Sequence, residues 1–234
     1  MSPMIFEQLF DIKSSTYTYI ISSGKGREAL IIDPVIENTD EYIKVLKNLD
    51  LKLVKVIDTH IHADHISGLN ELGKRTKCSK IMGEKSNSEV LDIRVKDNEK
   101  IKIENIELIS IYTPGHTDCS YSFLMNNRVF TGDTLLINGT GRTDFQNGSS
   151  YDAYHSLFNK LLKLPETTLV FPAHDYNGKK YSTIEIEKNN NPRLQVKSAE
   201  EYAEMMNSLN LEFPKMIDIA VPANIKGFTL DQIN

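Results

Sequence analysis

Apolar residues that recur at period two predict β-strands over much of the chain. Tyr17, Tyr19 and Ile21 follow this spacing, and the turn sequence Ser-Gly-Lys-Gly comes directly after them at 23–26. A half-buried strand followed by a tight turn has this pattern. The same criteria predict strands at 4–9, 16–21, 28–32, 53–57, 106–112, 121–124, 128–130 and 168–171.

Helical spacing of apolar residues appears between and after these strands. Ile43, Leu46 and Leu49 recur at helical intervals behind Asn38, which we expect to cap the helix with Glu41 reaching back. Further helices are predicted at 66–76, 151–163, 182–189 and 199–209, the last two with the capping boxes Ser182…Glu185 and Ser198…Glu201.

Strands in groups with one or two helices between them predict an α/β fold in which two packed sheets carry helices outside. A length of 234 residues fits one large domain or one domain with an appendage. We expect a domain over 1–188 and a C-terminal extension over 189–234 that packs on the same domain.

Composition and charge narrow the classes of partner. Lys and Arg number 27 against 32 Asp and Glu, which gives a net charge of −5. This charge provides no electrostatic attraction to nucleic acid or to an anionic membrane. No apolar run approaches membrane-span length, and the N-terminus resembles neither a signal nor a transit peptide. Cys78 and Cys119 form no C-x-x-C motif, and we expect Cys119 to fill the core. The sequence predicts a cytoplasmic protein with a small-molecule partner.

Three of the six histidines fall within one hexapeptide after the 53–57 strand. His60, His62, Asp64 and His65 form the pattern H-x-H-x-D-H. Imidazole and carboxylate groups are good ligands for transition metals, and a strand end can hold them rigidly. The pattern therefore predicts a metal site.

Three further candidate ligands also follow predicted strands. His116, Asp133 and His174 stand directly after the strands at 106–112, 128–130 and 168–171. Rigid sheets gather functional side chains in this way at strand ends. His155 lies within a predicted helix, and we expect it to be a surface or capping residue.

Four motifs resemble, in order and spacing, the metallo-β-lactamase superfamily. They are T-H-I-H-A-D-H (59–65), G-H-T (115–117), T-G-D (131–133) and P-A-H-D-Y (172–176). This resemblance covers almost the whole chain. It implies an αββα sandwich with a metal site at one edge of the two sheets, which agrees with the pattern of elements.

The segments between these motifs resemble the persulfide dioxygenases, also called sulfur dioxygenases. They are G-R-T-D-F-Q (141–146), P-A-H-D-Y, N-P-R-L (191–194) and I-D-I-A-V-P-A-N (217–224). Glyoxalase II, the sister family, would carry a longer helical C-terminal domain. An RNA-processing relative would need an inserted domain or a basic arm, and a periplasmic lactamase would need a signal peptide.

The resemblance implies one Fe(II) per chain, held by His60, His116 and Asp133 with the remaining positions open for substrate and O₂. The groups that orient these ligands would be His62, Asp64, His65, His174 and Asp175. Glyoxalase-type relatives hold two metals, one on His60, His62, His116 and Asp133, the other on Asp64, His65, His174 and the shared Asp133. Because this sequence has all of these residues, the identity of the ligands does not decide between one bound metal and two.

The implied reaction oxidises glutathione persulfide with O₂ to sulfite and glutathione. The resemblance also places Arg142, Tyr176 and Arg193 at the glutathione site. The two arginines suit this role, since guanidinium groups bind carboxylates in a bidentate way. An arginine that closes a helix or pairs with a nearby acid is the structural alternative. Two other functions stay open: a glyoxalase II-type hydrolase of S-acylglutathione thioesters, and a metal-binding or sulfur-carrier partner without turnover. A homodimer is one of the assembly states that the sequence leaves open.

Overall fold

Two six-stranded sheets form within residues 3–233, the part of the chain that the computed structural model describes. The first sheet contains, in spatial order, β1 (Ile5–Asp11), β2 (Thr16–Ser22), β3 (Glu28–Ile32), β4 (Lys52–Ile57), β5 (Ser79–Gly83) and β6 (Ile93–Val95). The second sheet runs from β7 (Lys100–Ile103) through β8 (Ile106–Tyr112), β9 (Tyr121–Met125), β10 (Arg128–Gly132) and β13 (Leu169–Pro172) to β14 (Ser182–Thr183). A small hairpin joins β11 (Leu135–Leu136) to β12 (Gly139–Thr140).

Helices flank the sheets. They are α1 (Thr39–Asn48), α2 (Leu69–Thr76), α3 (Ser150–His155), α4 (Ile184–Asn190), α5 (Ala199–Asn207), α6 (Ile217–Lys226) and α7 (Leu230–Ile233). Three short 3₁₀ turns cover Ile36–Asn38, Leu161–Lys163 and Pro192–Leu194, and a π turn covers Ser156–Lys160. Among the helices of residues 3–233, none is both long and apolar enough to cross a bilayer.

The main core lies between the two sheets. Tyr19 of β2 contacts Phe130 of β10, with ring centroids 4.9 Å apart, and Phe171 of β13 packs against both. Ile20, the neighbour of Tyr19, points to the other face, where it joins Tyr42 of α1. Alternate residues of one buried strand thus serve two different layers, as the strand geometry requires.

The second sheet is covered in the same way on its outer face. Val129 and Val170 pack against Leu157, which follows α3, and against Tyr202 of α5. The order of layers is helix, sheet, sheet, helix, so the αββα prediction is confirmed.

The capping predictions have mixed outcomes. Ser198 caps α5 as predicted, since its hydroxyl accepts from the Glu201 amide. Asn38 was predicted to cap α1, but its side chain donates instead to Asp11 Oδ1. The helix predicted at 182–189 begins later than expected. Ser182 and Thr183 form the edge strand β14, which pairs with β13, so Thr183 rather than Ser182 caps the helix.

The last fifty residues contact both halves of the sandwich. Met206 of α5 packs against the outer face of the second sheet. Val221 and Ile225 of α6 pack against the outer face of the first sheet. The 188/189 boundary stays a prediction.

Candidate metal centre

The loops after β4, β8, β10 and β13 meet at one edge of the sandwich. They carry His60, His116, Asp133 and His174 respectively. The first of these strands belongs to one sheet and the other three to the second sheet. The site therefore lies across the junction of the two sheets.

His60, His116 and Asp133, which the sequence predicts as ligands, form a compact group. Asp133 Oδ2 lies 4.0 Å from His60 Nε2 and 3.5 Å from His116 Nε2. One ligand atom from each residue lies within 4.8 Å of the others. Two imidazoles and one carboxylate thus face a common point.

Hydrogen bonds orient both imidazoles of this group. The Nδ1 of His116 donates to the Arg142 carbonyl at 2.8 Å, so its proton is on Nδ1 and Nε2 carries the lone pair. The Thr59 hydroxyl donates to Asp33 Oδ2 at 3.0 Å and accepts from His60 Nδ1, also at 3.0 Å. Both Nε2 atoms are therefore presented as ligands.

A second set of groups lies on the other side of Asp133. Its Oδ1 is 3.5 Å from His174 Nε2, which is 3.4 Å from Asp64 Oδ2. Asp64 Oδ2 also accepts from His65 Nδ1 at 2.9 Å. The two oxygens of Asp133 thus face different sets of candidate ligands.

The donor set fits a metal cation. His60 Nε2, His62 Nδ1, His65 Nε2 and Asp133 Oδ1 are buried and have no hydrogen-bond partner within residues 3–233. Buried polar atoms without partners carry a desolvation cost that a bound cation removes. Burial, with repulsion from His62, lowers the pKa of His60 well below its ordinary value, which keeps that ring neutral as a ligand must be.

Asp33 is a supporting residue that the sequence analysis missed. Its carboxylate accepts from the Thr59 amide at 2.7 Å and from His62 Nε2 at 3.1 Å. Burial acts to lower the pKa of His62, but the Asp33 carboxylate outweighs it and the pKa rises to about 10. Asp33 directly follows β3, so the strand-end criterion that identified Asp133 could have found it.

Asp58 completes a third compact group in the described part of the chain, together with Asp33 and His62. Burial raises the pKa of Asp58 to about 7. Thr59 and His62 already use both oxygens of Asp33. This group therefore supports the histidine loop through hydrogen bonds.

A cavity of about 240 Å³ opens over His116, Asp133 and His174. Its other walls are largely apolar and come from Phe145, Tyr176, Pro214 and Ile217, with Ala63, Asp64, Arg142 and Gln146 also at its border. A polar base under apolar walls is typical of small-molecule sites.

Arg142 and Tyr176 border this cavity, as the resemblance implies for substrate residues. The Arg142 guanidinium forms two hydrogen bonds with Asp144, at 2.7 and 2.8 Å, and donates to the Glu212 carbonyl. The Tyr176 ring is 73% exposed and nearly parallel to the ring of His174. Tyr176 is therefore free to contact a ligand, whereas the guanidinium group of Arg142 is already paired with Asp144.

Arg193 and Asp175 do not reach the cavity with the others. Arg193 is not among the described residues that line it, and its guanidinium donates to the Thr140 carbonyl. Asp175 Oδ2 accepts from the Asn177 and Lys179 amides, so it shapes the loop that carries Tyr176.

The remaining histidine and the cysteines are not among the candidate ligands, although Cys119 Sγ accepts from the Ile61 amide of the histidine loop at 3.4 Å. His155 is exposed, as expected for a surface residue. Cys119 is 4% exposed within the core, where burial raises the pKa of its thiol, and Cys78 is similarly buried.

The fold and this cluster of histidines and aspartates define a metallo-β-lactamase-type protein, and the sequence model of the metallo-beta-lactamase superfamily matches residues 12–174. The mouse (Mus musculus) protein named persulfide dioxygenase ETHE1, mitochondrial, is 41% identical over 228 residues, which cover 96% of this chain and 89% of the mouse protein. The crystal structure of ETHE1 from Myxococcus xanthus matches with a TM-score of 0.92 and 46% identity, covering 94% of this chain and 98% of that one. A hydroxyacylglutathione hydrolase of Dictyostelium discoideum is more distant, at 31% identity over 76% of this chain and 70% of its own length. The chain therefore belongs to the persulfide dioxygenase family of the metallo-β-lactamase superfamily.

Proposed function

We propose that the chain is an iron-dependent dioxygenase that oxidises glutathione persulfide to sulfite and glutathione. The observation that carries the proposal is the group of His60, His116 and Asp133, two of which, His116 and Asp133, lie at the base of a largely apolar cavity. The balanced reaction consumes one persulfide, one O₂ and one water, and it yields one glutathione and one sulfurous acid. Membership of the persulfide dioxygenase family supports the substrate class.

In this proposal His60, His116 and Asp133 hold one Fe(II). When bound, the iron supplies redox chemistry with O₂ and open positions for two reactants. The hydrogen bonds from His60 to Thr59 and from His116 to the Arg142 carbonyl fix the ring orientations that this site needs. Family membership, rather than the identity of the ligands, favours a single metal.

The cavity walls have their own part in the reaction. Phe145, Pro214 and Ile217 surround the polar base with apolar surface, which keeps water from the reacting sulfur. Tyr176, exposed at the border, contacts the glutathione moiety. Arg142 is also a proposed substrate residue, and a glutathione carboxylate would replace Asp144 as the partner of its guanidinium group.

Arg193 tests the substrate part of the proposal. If Arg193 binds a glutathione carboxylate far from the reacting sulfur, Arg193→Ala raises KM while kcat stays nearly constant, because the contact is equal in the ground and transition states. Loss of a charge-assisted bidentate contact costs roughly 1.5–3 kcal/mol, about 10–150-fold in kcat/KM, and lysine restores part of it. A lower melting temperature with unchanged KM would show that Arg193 has a structural role, through its contact with the Thr140 carbonyl, and does not bind substrate.

One set of measurements tests the proposal as a whole. The purified chain is analysed for metal, and O₂ uptake with glutathione persulfide is compared with hydrolysis of S-D-lactoylglutathione. We expect about one iron per chain and O₂ uptake that depends on the persulfide. Two metals per chain with thioester hydrolysis and no O₂ uptake would overturn it.

A glyoxalase II-type thioester hydrolase is the second candidate. The observation in its favour is the complete two-metal donor set, in which the oxygens of Asp133 face His116 on one side and His174 on the other. The hydrolysis assay above distinguishes it. A binding protein without turnover is excluded by either activity.

Two further expectations belong to the same proposal. A cytoplasmic location is checked by cell fractionation, and a homodimer by light scattering on the purified chain.

A further inference from the structure

The loop 60–65 carries three histidines but has no regular secondary structure. Its buried carbonyl groups therefore lack the partners that a helix or sheet would give, and each such group needs a donor. Two side-chain amides supply donors. Asn224 Nδ2 donates to the His62 and His65 carbonyls, both at 2.9 Å, and Gln146 Nε2 donates to the Ile61 carbonyl at 2.8 Å.

Both amides come from distant parts of the chain. Asn224 lies in α6, 162 residues from His62, and Gln146 is 85 residues from Ile61. They end two of the motifs that set this chain apart, I-D-I-A-V-P-A-N and G-R-T-D-F-Q. The proposed reaction gives neither residue a role.

The geometry fixes the Asn224 amide in place, and Gln146 reaches the loop from a strained backbone position. Asn224 is 8% exposed, and its Oδ1 accepts from the Ser67 amide at 2.8 Å. A flipped amide would set its oxygen against the His62 and His65 carbonyls, so one orientation is enforced. Gln146 holds a backbone φ of +48°, a left-handed conformation that is unfavourable for a residue with a side chain.

We propose that Gln146 and Asn224 are positioning residues that together hold the metal-binding loop, an arrangement here called the amide clamp. The clamp fixes the backbone of Ile61, His62 and His65, and thereby the spacing between His60 and the rest of the loop. Metal–ligand distances in well-formed sites lie within about 0.2 Å of standard values, so a loop that holds its ligands loosely loses affinity. The inference rests on the proposed metal site and adds the residues that preorganise it.

The test uses one substitution in each amide. Asn224→Asp has the same shape and can still accept from the Ser67 amide, but the carboxylate cannot donate to the two carbonyls. Its added negative charge would by itself attract a cation, so a weaker metal affinity cannot come from charge. Gln146→Met has a similar length and no donor.

Each variant has a matched control. Asn70, also buried, donates to the Gly227 carbonyl at the end of α6, and within residues 3–233 it forms no hydrogen bond with the 60–65 loop. Asn147 follows Gln146, has a similar φ of +56° and bonds to Asp118 instead. Asn70→Ala and Asn147→Ala therefore remove a buried amide and a polar side chain at a left-handed residue without opening the clamp.

The readout is the dissociation constant of Co(II) and Zn(II), measured by chelator competition without substrate or O₂. We expect each clamp variant to bind about 10–100-fold more weakly, with a changed visible spectrum of the Co(II)-loaded chain, and the controls to bind as the wild type does. Wild-type affinity in the clamp variants, or equal loss in the controls, would overturn the inference.

The outcome is separable from that of the proposed reaction. A wild-type chain that binds metal but shows no O₂ uptake would end the dioxygenase proposal and leave the clamp standing. If Asn224→Asp does not fold, Gln146→Met against Asn147→Ala decides the question alone.

Discussion

At the scale of single residues, the site histidines divide their two ring nitrogens between protein and cavity. Nδ1 of His116 donates to a backbone carbonyl, and so does Nδ1 of His174, which bonds to Ser15 at 3.1 Å. His62 is reversed, since its Nε2 bonds to Asp33 and its Nδ1 has no partner within residues 3–233. Backbone partners thus leave Nε2 of His116 and His174 free to face a metal, whereas the Asp33 carboxylate holds Nε2 of His62.

His116→Ala and Asp133→Ala should abolish metal retention, because each removes one of three proposed protein ligands. His174→Ala should be milder, with about a 10–100-fold loss of affinity, as for groups that orient ligands. Metal analysis after dialysis measures all three variants. If His174→Ala lost metal as completely as His116→Ala, a second metal site would have to replace the single-metal assignment.

Asp58 should make the free energy of unfolding of the metal-free chain depend on pH. Burial raises its folded-state pKa to about 7 from the ordinary 3.8, so between these values the folded chain binds a proton that the unfolded chain lacks. Asp58 therefore contributes stability that is complete below pH 3.8 and is lost as the pH rises towards 7. The slope is at most about 1.4 kcal/mol per pH unit.

Asp58→Asn removes this titration. The free energy of unfolding of the variant, relative to the wild type, should rise by about 1–3 kcal/mol from pH 5 to pH 7 and stay constant above pH 8. Urea denaturation in the presence of a chelator measures both proteins. Parallel pH profiles would contradict the assignment.

At the scale of elements, the loop after β12 must pass very close to two metal-binding loops. A Cβ on Gly141 would lie 2.2 Å from the Asp133 carbonyl oxygen and 2.9 Å from His116 Cγ and Nδ1. These distances are shorter than van der Waals contact, so any side chain there displaces the His116 ring or the backbone of Asp133.

Gly141→Ala should therefore reduce metal retention at least as strongly as the loss of an orienting group, about 10–100-fold. Gly139→Ala in the same hairpin is the control, because its nearest neighbour would be Leu136 Cβ at 4.0 Å. Metal analysis and melting curves on both variants check this. Equal metal content in the two variants would show that the loop has room to adapt.

At the scale of the whole molecule, the site joins the two sheets. His60 belongs to the loop after β4 in the first sheet, whereas His116 and Asp133 follow strands of the second. A metal held by all three would link the two halves of the sandwich at one edge and bind only to the folded chain.

Chelation should consequently lower the melting temperature. Free metal at about one hundred times its dissociation constant adds about 2.7 kcal/mol, or about 5–10 °C for a chain of this size. Scanning calorimetry with and without a chelator measures the shift. Asp133→Ala should melt at the same temperature in both conditions, and a chelator effect in that variant would place the stabilising metal elsewhere.

Local patterns were enough to predict most of the strands and the four loops that form the site. Period-two alternation and strand-end ligands depend on a few neighbouring residues, and β2, β4, β8 and β10 follow these patterns. Such features are visible in sequence because backbone geometry sets them locally. The family resemblance then indicated how the two sheets pack.

Strand β7 was missed although Ile101 and Ile103 are buried and alternate with exposed lysines, so period-two spacing could have found it. The other missed elements lack such a local signal. Strands β5 and β6 are short, and pairing with neighbouring strands stabilises them more than their own pattern does. Helix α6 contains Pro222, which argues against a helix in sequence, yet its buried contacts with Ile36 and Ile66 hold it in place. Tertiary packing outweighed local preference in these other cases.

The sequence by itself determined which side chains could bind a metal, because residue type and strand-end spacing carry that information. The tertiary structure alone decided which partner each side chain has. It paired the Arg142 fork with Asp144, turned Arg193 towards Thr140 and brought Asn224 to the histidine loop from 162 residues away. Hydrogen bonds between distant segments depend on how the layers pack, and no local pattern records that packing.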